Sequence, residues 1–336
     1  MKKFAAFVMV VFAVALALSA CGMDSNAKSL ANKKVSVVAT IYPQYDWLKN
    51  ILGEYVDKVD LKLLIKNGTD LHSYKPSAQD IAAIANADLV VYVGGESDEW
   101  IEKALEATPK AGRMQVNLMQ VLGDRVKEEE VVEGMQAEEE AEEHEGEHHH
   151  HEHAEAPEND EHIWLSLKNA QILVKNLAES VSKIDTANAP VYRANAIIYA
   201  SKLHDLDWAY DSTVSNASQK TILFGDRFPF RYMVDDYGIK YYAAFVGCSA
   251  ESEASFETVA FLAGMMDSLS LPVIFTIDGS RSNVALAVRN ASKNSKSVPV
   301  LQLNSMQSVT DEQIRSGVDY MSIMKSNLET LKKGLK

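Results

Sequence analysis

Short apolar, β-branched runs recur along this chain, separated by longer helix-like stretches. Runs at 35–41, 59–65, 88–93 and 114–118 form one set, and runs at 220–224, 240–245, 272–277 and 298–303 form a second. Few of them alternate cleanly between apolar and polar positions, which is the signature of strands buried on both faces. Helical spacing fills 80–87 and 97–107 in the first half, and 255–269, 284–292 and 311–335 in the second. Strand–helix alternation of this kind predicts parallel sheets covered by helices. The expected fold is α/β, with two lobes that each hold a four-stranded, mainly parallel sheet. Between the two sets lies a helical block, 165–183 and then 187–216. Tyr192, Tyr199, Leu203, Leu206 and Tyr210 share one face of its second part. That part reads as a long spine helix joining the lobes, or as two shorter helices with a break.

The length of 336 residues and the 47% hydrophobic content suit such a two-domain globular chain. The expected organisation is an N-terminal lobe over 34–186, a linking helix over 187–216 and a C-terminal lobe over 217–336.

Charge changes the picture in one place. The segment 128–161 carries 16 acidic residues and no Lys or Arg; without it the formal charge of −14 becomes +2. The acidity is local, and the remainder has no basic excess of the kind a nucleic-acid partner needs. Within it, 128–158 reads as a disordered acidic loop. It contains His144, His148, His149, His150, His151 and His153, six of the nine histidines. The loop is either an auxiliary collector of metal ions or a solvated spacer held open by its charge; an inserted tag fits its interleaved Glu and Ala poorly.

The N-terminus has Lys2 and Lys3, an apolar run over 4–18 and a small-residue end, Ser19-Ala20-Cys21. This is the pattern of a secretory signal over 1–20, too short for an ordinary membrane span. Its close, Leu18-Ser19-Ala20-Cys21, resembles a bacterial lipobox, which implies a lipid anchor on Cys21 and a polar tether over 21–33. Cys248 is then the second of two cysteines and reads as a small buried hydrophobe.

Open α/β sheets bind ligands at the carboxyl ends of their strands. His72, His162, Asp226 and Asp278 all fall there, and two imidazoles with two carboxylates suit Zn²⁺ or Mn²⁺. An Asp in such a place also serves commonly as a cap or turn residue.

These stretches resemble those of the metal-binding solute-binding lipoproteins of zinc and manganese ABC importers, in particular the zinc-uptake branch of the cluster A-I family. Asp70-Leu71-His72-Ser73-Tyr74-Lys75-Pro76 resembles the family's first-ligand loop, with Leu71 and Lys75 departing from it. His162-Ile163-Trp164-Leu165 resembles its second-ligand motif, again after an acidic His-rich loop. Tyr237-Gly238-Ile239, Glu253-Ala254-Ser255 and Gly317-Val318-Asp319-Tyr320, with Met324, Asn327 and Leu328, also fit. Most members carry a third histidine after the first strand of the second lobe. Here the residues are Gly225-Asp226-Arg227-Phe228. Asp226 is the expected stand-in, since a guanidinium cannot ligate; Asp278 is the expected fourth ligand, with Glu253 or water as alternatives.

The resemblance implies a lipid-anchored, extracytoplasmic monomer that captures Zn²⁺ between its lobes and passes it to an ABC transporter permease. Manganese import and a metal-dependent adhesin stay open, and a zinc hydrolase using Glu161 as base is a weaker alternative. Neutral imidazoles are required, so capture is expected to weaken below about pH 6.5.

Overall fold

A computed structural model of the protein describes residues 34–136, 158–249 and 253–335. Cys21, the signal and tether, and the six loop histidines lie outside the described residues. Among these residues, no helix is long and apolar enough to cross a membrane.

The first sheet is built from β1 (Val35–Ala39), β2 (Val59–Leu63), β3 (Leu89–Tyr92) and β4 (Met114–Asn117), in the order β2-β1-β3-β4. The second uses β5 (Thr221–Phe228), β6 (Lys240–Val246), β7 (Ile274–Ile277) and β8 (Val300–Leu303), in the order β6-β5-β7-β8. Every pairing is parallel. The two sheets therefore share one topology, although no sequence repeat links them. Strands β3 and β7 are buried at all four positions, which explains their uninterrupted apolar runs. The edge strand β2 instead exposes Lys62, paired with Asp60, and polar edges resist further strand addition.

The helices of the first lobe are α1 (Tyr42–Leu52), α2 (Ala78–Asn86), α3 (Glu99–Ala107), α4 (Leu118–Leu122) and α5 (Leu167–Ile184). The spine, α6 (Ala189–Ser215), is one unbroken helix about 40 Å long. Pro190 sits in its first turn, where a missing amide hydrogen does no harm. All five residues of the expected face, Tyr192 to Tyr210, are buried.

The second lobe adds α7 (Arg231–Tyr237), α8 (Phe256–Leu269), α9 (Asn283–Ala291), α10 (Asp311–Arg315) and α11 (Tyr320–Gly334). The stretch 311–335 is thus two helices, not the single one expected. Gly317 adopts a left-handed φ of 89° and Asp319 caps the new start by accepting from the Ser322 amide.

One core runs through both lobes, and hydrogen bonds stitch them. Asn195 on α6 donates to the Ile51 carbonyl in the first lobe, while Tyr210 on the same helix donates to the Met324 carbonyl in the second. Tyr320 of α11 donates from its hydroxyl to the Trp164 carbonyl, and its amide donates to Asp46.

The disorder expected over 128–158 does not hold for its first nine residues. Glu128 pairs with Asn159 in an antiparallel bridge, Met135 is buried, and the Gln136 amide donates to the Ala244 carbonyl. Residues 128–136 are therefore ordered, because backbone pairing and an apolar anchor outweigh the repulsion of their carboxylates.

Candidate metal centre

His72 follows β2. Asp70 fixes it locally by accepting from the His72 amide at 3.0 Å. Its Nδ1 lies 2.7 Å from Ser97 Oγ, just beyond β3, and Ser97 is itself held by Glu161, which accepts from the Ser97 amide at 2.8 Å. His162 ends the acidic stretch and is fully buried. Asp160 Oδ1 accepts from the His162 amide at 2.8 Å and faces its Nδ1 at 3.0 Å. A carboxylate only accepts, so this contact places the ring proton on Nδ1 and leaves the Nε2 lone pair free. Trp164 packs beside the His162 ring and donates from its indole nitrogen to the Ser305 carbonyl.

These supports bring the two Nε2 atoms to 3.2 Å. Two nitrogens bound to one tetrahedral zinc at 2.0–2.1 Å stand about 3.3 Å apart. Burial pushes the His72 imidazole down to about 3, reinforced by His162 and Arg227 and opposed by Asp70. Burial therefore favours the neutral form of His72, the form that can bind a metal.

The second lobe presents a different set. Among the described residues, His72, His162 and Cys248 form a group whose candidate ligand atoms all lie within 4.8 Å of one another. Cys248 therefore lies beside the two imidazoles. It follows β6, and its amide donates to Glu129 at 3.0 Å. Burial, followed by nearby Glu129, Asp160 and Glu161, pushes its thiol up. Gln307 follows β8. Its amide nitrogen lies 3.0 Å from His72 Nε2 and 2.8 Å from His162 Nε2, so one NH₂ group can serve both lone pairs. The loop that carries it is strained: Met306 is buried with φ 63°, a left-handed conformation unfavourable for a side chain of its size. Asn304 accepts from the Met306 amide to hold the turn, and Asn327 on α11 pins the Asn304 backbone on both sides.

Asp226 and Asp278 fall outside the close group of His72, His162 and Cys248. Strand β5 runs four residues further than its apolar run suggests, through a register shift between Phe224 and Arg227. Asp226 therefore lies inside the strand and accepts from the Arg227 and Ile277 amides. Burial pushes its carboxyl up, against its hydrogen bonds. Asp278 accepts from the amides and hydroxyls of Ser305 and Ser308, which makes it the strap of the Gln307 loop. Both, with Glu253, line a cleft of about 630 Å³ that Asp70 and His72 also line. Arg227 crosses the lobes to pair with Asp70 and reaches the Ser249 carbonyl, tying together the loops of His72 and Cys248. Burial pushes the Asp70 carboxyl up, but Arg227 and His72 outweigh it and the net shift is downward.

Cys248 and Gln307 also follow strand ends, as Asp278 does, yet the sequence alone gives neither a ligand signal. A lone cysteine reads as packing, and an amide is not a common metal ligand.

Two parallel α/β lobes bridged by a spine helix, with imidazoles converging in the cleft, define a metal-type solute-binding protein. The family described as "Zinc-uptake complex component A periplasmic" matches over residues 37–334, and the chain belongs to it. It is 33% identical over 328 residues to the high-affinity zinc uptake system protein ZnuA of Bacillus subtilis, covering 97% of this chain and 96% of that one. It is 32% identical to the zinc-binding lipoprotein AdcA of Streptococcus pneumoniae, covering 95% of this chain but 58% of AdcA. The chain therefore spans little more than half the length of the streptococcal relatives. The solved structure of the Zn(II)-bound ZnuA-like domain of AdcA superposes with a TM-score of 0.67 at 29% identity, over 90% of this chain and 99% of the domain. The metal-dependent lipoprotein YcdH of Bacillus subtilis gives 0.71 at 29% identity, over 90% and 100%.

Proposed function

We propose that the protein captures Zn²⁺ between its lobes, outside the cytoplasm, and delivers it to an ABC permease, held at the membrane through a lipid on Cys21. The observation that carries this reading is the 3.2 Å approach of two Nε2 atoms whose far nitrogens face Ser97 and Asp160. His72 and His162 are the first two ligands. The ion and the Gln307 amide compete for the same two lone pairs, so loading requires that amide to turn aside. The naming of ZnuA and AdcA as zinc-uptake and zinc-binding proteins supports zinc as the cargo.

The manganese alternative needs two carboxylates to complete the site, whereas Asp226 and Asp278 lie outside the close group of His72, His162 and Cys248. The hydrolase alternative, with Glu161 as base, is not favoured by the family's description as a zinc-uptake component. The bonds from α6 and α11 to both lobes favour a small tilt or a loop shift during loading over a wide opening.

Metal binding to the folded state alone raises stability by about 2.7 kcal/mol at a ligand concentration of 100 Kd. Adding Zn²⁺ to chelator-stripped protein is expected to raise Tm by on the order of 5 °C. An unchanged Tm contradicts zinc capture.

A further inference from the structure

We infer that Cys248 supplies a third, thiolate ligand to the ion held by His72 and His162, so that the cleft is a two-histidine, one-cysteine site selective for zinc over manganese. This rests on the zinc-capture reading above and adds to it the ligand that sets the ion's identity.

Three independent observations support it. The first is proximity: the Cys248 sulfur and the two imidazole nitrogens lie within 4.8 Å of one another, and zinc holds sulfur at about 2.3 Å and nitrogen at about 2.0–2.1 Å. The second is how the chain gets there. At Gly247 a side chain would come within 3.1 Å of the His162 ring and 2.9 Å of the Phe228 carbonyl. The backbone after β6 therefore passes directly against His162, and the absence of a Cβ lets Cys248 reach the pair. The Cys248 amide is bonded to Glu129, and the next carbonyl, that of Ser249, accepts from Arg227. The third is what the neighbouring anions do. Asp226 and Asp278 accept from backbone amides and serine hydroxyls, and Asp160 holds the Nδ1 side of His162.

The binding step is a proton exchange. The sulfur–hydrogen bond breaks, the proton leaves to water, and the sulfur lone pair forms the zinc–sulfur bond. Thiolate favours zinc-class ions, whereas manganese prefers carboxylate and water oxygens and sits at the weak end of the divalent affinity order. A sulfur in place of two carboxylates thus shifts the site away from manganese.

Cobalt(II) added to the metal-stripped protein provides the probe. The wild type is expected to bind one tight Co²⁺ in the cleft and to show a near-ultraviolet thiolate-to-cobalt charge-transfer band. Cys248→Ser is expected to lose the band. Its zinc affinity should drop by at least about tenfold, since even outer-shell partners are worth 10–100-fold, while manganese affinity moves less than about threefold. Zn²⁺ should also protect Cys248 of the wild type from iodoacetamide, a readout that needs no variant to fold. Tight 1:1 binding without the band, or a band that survives in Cys248→Ser, overturns the assignment and leaves zinc capture standing. Wild-type protein that takes up no tight Co²⁺ or Zn²⁺ overturns both.

Discussion

The N-terminal lobe brings two imidazoles to the cleft, each backed at its far nitrogen by a partner from the same lobe. The C-terminal lobe brings a thiol, an amide and a guanidinium, and turns its two carboxylates into its own loops. The first half is preorganised: Ser97 and Asp160 fix ring orientation before any ion arrives. The second half is held through others. Arg227 ties two ligand loops, and Asp278 straps a strained turn that places Gln307. The contrast separates affinity from choice of ion. Two oriented nitrogens bind borderline metals generally, and the groups opposite decide which metal is kept.

The largest expected effect tests the first half. His72→Ala or His162→Ala should weaken Zn²⁺ by more than about 100-fold in calorimetry, while Asp160→Asn, which only orients a ligand, should weaken it about 10- to 100-fold at unchanged stoichiometry. Equal losses from Asp160→Asn and His162→Ala would mean that the carboxylate is itself a ligand. Next comes the amide: Gln307→Glu places an anion against the two imidazoles, and Zn²⁺ should bind about tenfold tighter, as charge-assisted contacts are the stronger ones. An unchanged affinity would place Gln307 away from the ion. The smallest effect sharpens the contrast most: Asp226→Asn should change zinc affinity by less than about threefold, since the amide keeps one of the two backbone hydrogen bonds and the side chain lies outside the close ligand group. A loss as large as that of His72→Ala would return Asp226 to the ligand set.

The same contrast governs what could be read in advance. The strands were legible because doubly buried strands leave apolar runs, and the spine helix because Tyr192 to Tyr210 repeat at helical spacing. The convergence of His72 and His162 was legible because each lies in a compact local motif. The C-terminal half was not, for physical reasons. Asp226 and Asp278 sit at or near strand ends, but those positions also offer unpaired amides, and the carboxylates satisfy them. Arg227 is drawn into β5 by a register shift that no apolar pattern records. Cys248 meets His162 only because Gly247 permits a close backbone approach, a relation across 86 residues of sequence. Helix α1 went unseen, since Tyr42–Leu52 mixes buried Gln44 and Asp46 with its apolar positions.

The central claim is that specific capture belongs to the cleft and not to the histidine-rich stretch. Its most direct test is the zinc stoichiometry and affinity of the chain with His144, His148, His149, His150, His151 and His153 all replaced by Ser. One tight Zn²⁺ per chain, at wild-type affinity within about threefold, is the expected result, with only weaker additional sites lost. Disappearance of all tight binding from that variant would contradict the claim and move the site into the acidic loop.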